Sequence, residues 1–343
     1  MTEQGSTVEE STALVTTTEV TQHATTGSDK TSSLSDGIGF YFQCAVVVIG
    51  VIGTAANALI LYALVASKQH KKHILIVNIN ALDLLGCVSL VITYSVKLCN
   101  IRLTGTSGYW LCVMILSENF VWWGVTGSRI SLAIITIDRY LKVVHSAWSK
   151  KKLRNWMIYS AMAFSWSSPL IYCVTMAFTT TAVINGVCYA AVMWDSQVAK
   201  MIHIIWNVTS FYVIIILIII FCYWRILVVI RRQASAMATH SGPGPSTAQT
   251  QSHQMQTNVI KTMILVSAFY AITGFPTTVY YLLLNMGVNV SLHEGGYYAS
   301  VFLLFLYSCT NPFIYAIKFD PVKHTLLGLI PCKKISVQPS QAT

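Results

Sequence analysis

Seven blocks of apolar residues, each long enough to cross a bilayer, constrain this chain more than anything else in it. They cover approximately residues 41–65, 74–97, 111–143, 156–178, 201–230, 259–286 and 295–317. A hydrocarbon core about 30 Å thick needs roughly 20 apolar residues as a helix. Helices are expected rather than barrel strands, because the blocks are long and lack a two-residue alternation. Only 10% of the residues are charged, against about a quarter in soluble domains, so lipid is the expected solvent for most of the chain. The sequence predicts an all-α, seven-transmembrane helix bundle.

Basic residues fix the orientation. Lys68, Lys71 and Lys72 follow the first block, and Lys142, Lys150, Lys151, Lys152 and Arg154 follow the third. Arg231 and Arg232 follow the fifth, and Lys323, Lys333 and Lys334 lie in the C-terminal tail. With seven spans these bases share one side. The N-terminus is therefore expected outside and the C-terminus inside, in a multi-pass protein of the plasma membrane. The net charge of +10 then points to anionic membrane lipid and a cytosolic partner, not to nucleic acid.

Residues 1–39, rich in Ser, Thr and Glu, are expected to be a disordered extracellular tail without a cleavable signal peptide. The membrane domain is assigned to residues 40–332 and a cytoplasmic tail to 333–343. Asn289, in Asn289-Val290-Ser291, is the candidate N-glycosylation site; the second sequon, at Asn207, falls inside a span. Asp320-Pro321 is a helix-start signal, and Phe319, Val322, Leu326, Leu329 and Ile330 follow at helical spacing. This predicts a short amphipathic helix on the inner membrane surface. Cys332 follows it, either as a palmitoylation site or as a free thiol. Of the nine cysteines, Cys44, Cys99, Cys112 and Cys188 fall near the outer face, where one disulfide is expected.

Polar residues at mid-membrane depth are costly and need a reason. Asn57, Asp83, Ser128 and Asn311 sit at similar depth in four spans. Two readings stand side by side: a water or Na⁺ site centred on Asp83, or a structural network joining helices. Asp138-Arg139-Tyr140 closes the third span, and its adjacent opposite charges suit a two-state element. Asn311-Pro312-Phe313-Ile314-Tyr315 lies near the end of the seventh, where Pro312 weakens the helix.

Seven spans with these two motifs in this order resemble the rhodopsin-like (class A) G-protein-coupled receptors. The resemblance covers about residues 40–332 and includes Asn57, Asp83, Trp166, Tyr223, Pro276 and the helix ending at Cys332. It implies that Asp138, Arg139, Tyr140, Tyr223, Asn311, Pro312 and Tyr315 form the activation switch and admit a heterotrimeric G protein. It also implies a disulfide between Cys112 and Cys188, with Cys99 as a weaker competitor. Cys112 stands 27 residues before Arg139, a longer interval than the family usually shows, so a bulge or a shifted helix start is expected. Other departures are Arg129 for an aliphatic residue, Ile215 for a frequent Pro, Tyr270 for a Phe, and Gly274 for the switch Trp. They imply a rebuilt relay between pocket and cytoplasm. Arg129 reads either as a cation awaiting an anionic partner or, the favoured reading, as a hydrogen-bonded residue near Tyr270 and water.

The resemblance also narrows the ligand. Phe305 stands where opsins need the retinal-binding Lys, so no retinal cofactor is expected. Val121 replaces the Asp of amine receptors, although Glu118 lies nearly one turn further out. Candidate ligand-binding residues are Thr93, Lys97, Glu118, Val121, Trp122, Thr277, Tyr281, Tyr297 and Val301. The aromatic, weakly charged character is similar to peptide receptors of the galanin, somatostatin and allatostatin type. Melatonin-like or other small-molecule receptors are the alternative. An ion-coupled transporter lacks the paired halves it would need. An enzyme lacks a metal cluster or a nucleophile–base pair, and no metal is expected beyond the Na⁺.

Overall fold

The computed structural model describes residues 28–71, 73–190, 196–239, 247–286 and 295–318. The tail before residue 28, Asn289, Cys332 and the expected surface helix lie outside the described residues.

The chain is a helical bundle. The first span is α1 (Ser28–Ala66) and the second α2 (Ile74–Leu98). The third combines α3 (Gly105–Leu111), a π-helical turn (Cys112–Leu116) and α4 (Asn119–Val144). A short helix, α5 (Ser146–Lys152), leads to α6 (Asn155–Thr180) as the fourth. The fifth combines α7 (Gln197–Val208), a π-helical turn (Thr209–Val213) and α8 (Ile214–Thr239). The last two are α9 (Thr247–Asn285) and α10 (Gly295–Lys318). Among the described residues six helical stretches pass the length and composition test for a membrane span. The seventh is α10, 24 residues long and packed against α1, α2 and α9.

Helix ends differ from the sequence reading. Helix α8 runs on to Thr239 and α9 begins at Thr247, beyond the apolar blocks ending at 230 and starting at 259. Two further boundaries differ at the first and third spans. Helix α1 starts at Ser28, inside the stretch expected to be a structureless tail, although its apolar part begins at Gly37. Extending a helix already nucleated in the bilayer needs only propagation, which costs far less than nucleation. The third span starts at Gly105, not at residue 111. Polar Thr106 and Ser107 mask its first turn in a hydropathy reading.

Packing is inverted relative to a soluble protein. Ile272 is 70% exposed and Val198 67%, and such residues face lipid. Asn57, Asp83, Ser128 and Asn311 are fully buried. An outer apolar cluster (Val46, Leu90, Tyr94, Val121, Val125, Val301, Phe305) and an inner one containing Ile60, Ile79, Leu132, Tyr223 and Tyr270 lie on either side of this polar layer. The second and third spans approach closely at Gly86 and Gly124. A Cβ on Gly124 would fall 2.6 Å from the Gly86 nitrogen, so a small residue is obligatory there.

Between the fourth and fifth spans, β1 (Ala182–Ile184) and β2 (Val187–Tyr189) form an antiparallel hairpin. Its turn is Asn185-Gly186, with φ of 52° and 79°. Positive φ at both central positions is the requirement of a type I′ hairpin. The Leu103 amide donates to the Gly186 carbonyl at 3.0 Å, which fastens the hairpin tip to the loop after α2.

Candidate functional site

The outer end of the bundle is organised around the third span. The Cys112–Cys188 disulfide joins the π-helical turn to β2, and Cys99 is an exposed free thiol. The expected irregularity below Cys112 has two parts. The π-helical turn brings the Ser117 amide to the Cys112 carbonyl at 2.9 Å. Glu118 then takes the left-handed conformation, with φ of 60°. Together they absorb the extra residues between Cys112 and Arg139, because a π turn advances the chain less per residue than an α turn.

This backbone presents the Glu118 carboxylate to three donors. Lys97 forms a salt bridge with Oε1, Tyr94 donates to Oε1 at 2.9 Å, and Trp122 Nε1 donates to Oε2 at 3.1 Å. The Lys97 ammonium also lies 4.7 Å from the Tyr94 ring centre. Phe305 packs edge-on against Tyr94 and tilted against Trp122, with centroids 6.1 and 6.0 Å away. Of the nine candidate ligand residues, the structure thus joins Lys97, Glu118 and Trp122 directly. Val121 and Val301 are buried in the outer cluster. Thr93 donates to the Ile115 carbonyl at 3.3 Å and Thr277 to the Ser300 carbonyl at 2.6 Å. Tyr297 packs with tilted rings against Tyr280 and Tyr298, and Tyr281 is part-buried nearby on α9. Tyr94 was not picked out from the sequence; its depth one turn from Lys97 was the available signal.

Below this lies the rebuilt relay. The Arg129 guanidinium carbon is 5.9 Å from the Tyr270 ring centre, and its Nε makes no hydrogen bond. Tyr270 instead donates to the Phe211 carbonyl at 2.8 Å, and Tyr212 to the Ala271 carbonyl at 2.9 Å. These reciprocal bonds tie the π-helical turn of the fifth span to α9. The turn ends two residues before Ile215, so the irregularity exists here without proline.

In the polar layer Asn311 donates to Asp83 Oδ2 at 2.9 Å. Asn57 donates to the Gly53 and Ser308 carbonyls at 3.0 and 3.2 Å. Asp83 Oδ1, Asn57 Oδ1, Asn311 Oδ1 and the hydroxyls of Ser128, Ser308 and Tyr307 make no hydrogen bond of good geometry, although Ser128 and Ser308 stand beside the carboxylate. A buried carboxylate ringed by unsatisfied oxygens suits a small hard cation or water. Nearby, Trp166 Nε1 donates to Asn78 Oδ1 at 2.8 Å and Asn78 donates to Ser131 and Ser165 at 2.8 and 3.1 Å, joining the second, third and fourth spans.

At the end of the bundle opposite the disulfide, the Asp138 carboxylate takes the Lys142 ammonium at 2.8 Å and holds Arg139 only at 4.0 Å. The sequence reading uses Lys142 only as an orienting base, although its i+4 spacing from Asp138 signals such a pair. Tyr140 pairs with His145 at 3.1 Å. Tyr223 shares a hydrogen bond of 3.3 Å with Thr136, one turn above Arg139. Pro312 lies inside α10, as does Tyr315, whose side chain is outside the described residues.

Residues 56–315 match the 7 transmembrane receptor (rhodopsin family). Galanin receptor type 1 of Rattus norvegicus is 23% identical, with 88% of this chain and 86% of the relative covered. The Mus musculus receptor of the same name is 22% identical, with 90% and 87% covered. The crystal structure of squid rhodopsin superposes with a TM-score of 0.70 at 18% identity, covering 86% of each chain.

Proposed function

Since this chain belongs to the rhodopsin family of seven-transmembrane receptors, we propose that it binds a short extracellular peptide and activates a heterotrimeric G protein. The observation that carries the coupling half is the loose hold on Arg139. Its neighbour Asp138 is already engaged by Lys142, so Arg139 can leave for a new partner at little electrostatic cost. A bistable charge pair at a helix end is the kind of element a ligand can bias.

Support for a peptide comes from the outer site. Glu118 offers a carboxylate held in place by three donors, among aromatic rings that can grip side chains. The likeness to galanin receptors points the same way. The family and the clustering of basic residues after the first, third and fifth spans support a plasma-membrane receptor with its N-terminus outside. The unsatisfied oxygens around Asp83 support a bound Na⁺, held by Asp83, Ser128 and the amides of Asn57 and Asn311. Phe305, where an opsin would carry its Lys, argues against retinal.

The test is a G-protein dissociation assay in cells expressing the chain, screened with a peptide library that includes galanin. A peptide response that Arg139→Ala suppresses is expected. A response confined to small molecules would replace the peptide reading with the melatonin-like one. A peptide response unchanged by Arg139→Ala would overturn the switch.

A further inference from the structure

Two buried thiols face each other where the first, second and seventh spans meet. Cys87 on α2 and Cys309 on α10 are 0% and 3% exposed, and their sulphurs lie 3.6 Å apart. Both are free, the outer disulfide being made by Cys112 and Cys188. Asn57 Nδ2 donates to Cys87 Sγ at 3.7 Å. On α1, Gly53 lies against both sulphurs: a Cβ there would fall 2.6 Å from Cys87 Sγ and 2.8 Å from Cys309 Sγ. Any larger residue at that position would drive the pair apart.

This packing selects the chemistry. A structural metal needs further donors, and among the described residues no group of three His, Cys, Asp or Glu is placed to hold one. A bulky adduct has no room beside the Gly53 backbone. A disulfide adds no atom, and closing the sulphurs to about 2.05 Å only draws them together. A small polar oxidant has a route as well. Asp83 stands one turn before Cys87 and Asn311 two residues after Cys309, and the unsatisfied oxygens around them suit water. Hydrogen peroxide is a comparably small hydrogen-bonding molecule.

We infer that Cys87 and Cys309 form a peroxide-responsive dithiol whose disulfide clamps the seventh span to the second, three residues before Pro312. The Cys87 sulphur, which accepts from Asn57, attacks one oxygen of hydrogen peroxide. The O–O bond breaks, the thiol proton leaves with the released hydroxide as water, and Cys87 becomes a sulfenic acid. The Cys309 sulphur then attacks the Cys87 sulphur, the S–O bond breaks, and a second water carries off the Cys309 proton. Two electrons pass from the sulphurs to the peroxide, and one S–S bond replaces two S–H bonds.

The test treats the purified full chain in detergent with hydrogen peroxide, then alkylates, digests and reads it by mass spectrometry, with thermal melting alongside. No ligand or G protein enters, so a receptor silent in signalling would not mask the result. A Cys87–Cys309 cross-linked peptide, reversed by dithiothreitol, is expected while buried Cys173 and Cys222 stay reduced. The bond spans 222 residues of sequence. Cross-links over long loops restrict the unfolded chain most, so melting is expected to rise by about 5 °C. In Cys309→Ser the Cys87 sulfenic acid is expected to persist, trapped by dimedone, with no peroxide-dependent rise in melting. In Cys87→Ser, Cys309 is expected to stay largely unlabelled. Melting of both variants in reductant, near the parent temperature, separates a lost bond from lost folding. Oxidation of the pair no faster than that of Cys173 and Cys222 would overturn the site. A cross-link without a rise in melting would overturn the clamp, and equal dimedone labelling in the two variants would overturn the order of attack.

Discussion

Gly274 and Tyr212 share the space that one large side chain would fill. A Cβ added to Gly274 would lie 3.1 Å from Tyr212 Cε2, and the Tyr212 hydroxyl is fixed to the Ala271 carbonyl one turn earlier on α9. The ring from the fifth span thus covers the glycine that replaces the family's usual Trp. Missing bulk on α9 is supplied by its neighbour.

Restoring the family residue should therefore harm this chain. Gly274→Trp places an indole where Tyr212 already sits, and overpacking costs about 1–3 kcal/mol. The expected outcome is a lower melting temperature in detergent, partly recovered in Gly274→Trp with Tyr212→Ala. If the single variant melts at or above the parent temperature, the two side chains do not compete for one volume.

The outer carboxylate gives a graded prediction. Hydrogen bonds to charged groups contribute about 1.5–3 kcal/mol each, and the Lys97–Glu118 pair is partly screened at 26% and 16% side-chain exposure. Lys97→Met leaves Tyr94 and Trp122 on Glu118 and should lower stability modestly. Glu118→Ala strands all three donors and should lower it more. Melting curves of the two variants in one detergent provide the comparison. A larger loss in Lys97→Met than in Glu118→Ala would show that the lysine, not the carboxylate, organises this end.

How far the sequence led depends on the type of signal involved. Span positions were legible because a bilayer demands a long apolar run and little else imitates one. The Asn57, Asp83 and Asn311 layer was legible because polar residues at mid-span are rare. The Asn185-Gly186 dipeptide signals a hairpin turn, but its strands are only three residues long and show no alternation to set them apart from a loop. Glu118 was a different case. Nothing in a Glu residue announces a left-handed backbone, since that conformation is imposed by the π-helical turn and the disulfide above it. The cover of Tyr212 over Gly274 was likewise invisible, because it joins two spans that only tertiary packing brings together.

The polar layer predicts a cation-specific effect. If Na⁺ fills the ring of unsatisfied oxygens, it binds the folded state and stabilises it by mass action. Melting should rise in sodium chloride relative to the same ionic strength of choline chloride. In Asp83→Asn the difference should vanish, since the amide lacks the charge a hard cation requires. An equal rise in both salts would assign the layer to water and helix contacts alone.

Asp138, Lys142 and Arg139 predict opposite effects from two neutralising changes. Lys142 takes the Asp138 carboxylate at 2.8 Å, while Arg139 stands at 4.0 Å. Removing the lysine leaves Arg139 as the nearest counter-charge, so the pair should tighten and hold the switch in place. Removing the carboxylate frees Arg139 altogether. An exposed ion pair contributes about 0–1 kcal/mol, and Lys142 is 44% exposed, so the change in populations should stay within several-fold. Basal nucleotide exchange on a purified G protein, without ligand, should fall in Lys142→Ala and rise in Asp138→Asn. A rise in both variants would mean that Lys142 restrains the switch itself, and the competition between the two cations for one carboxylate would have to be abandoned.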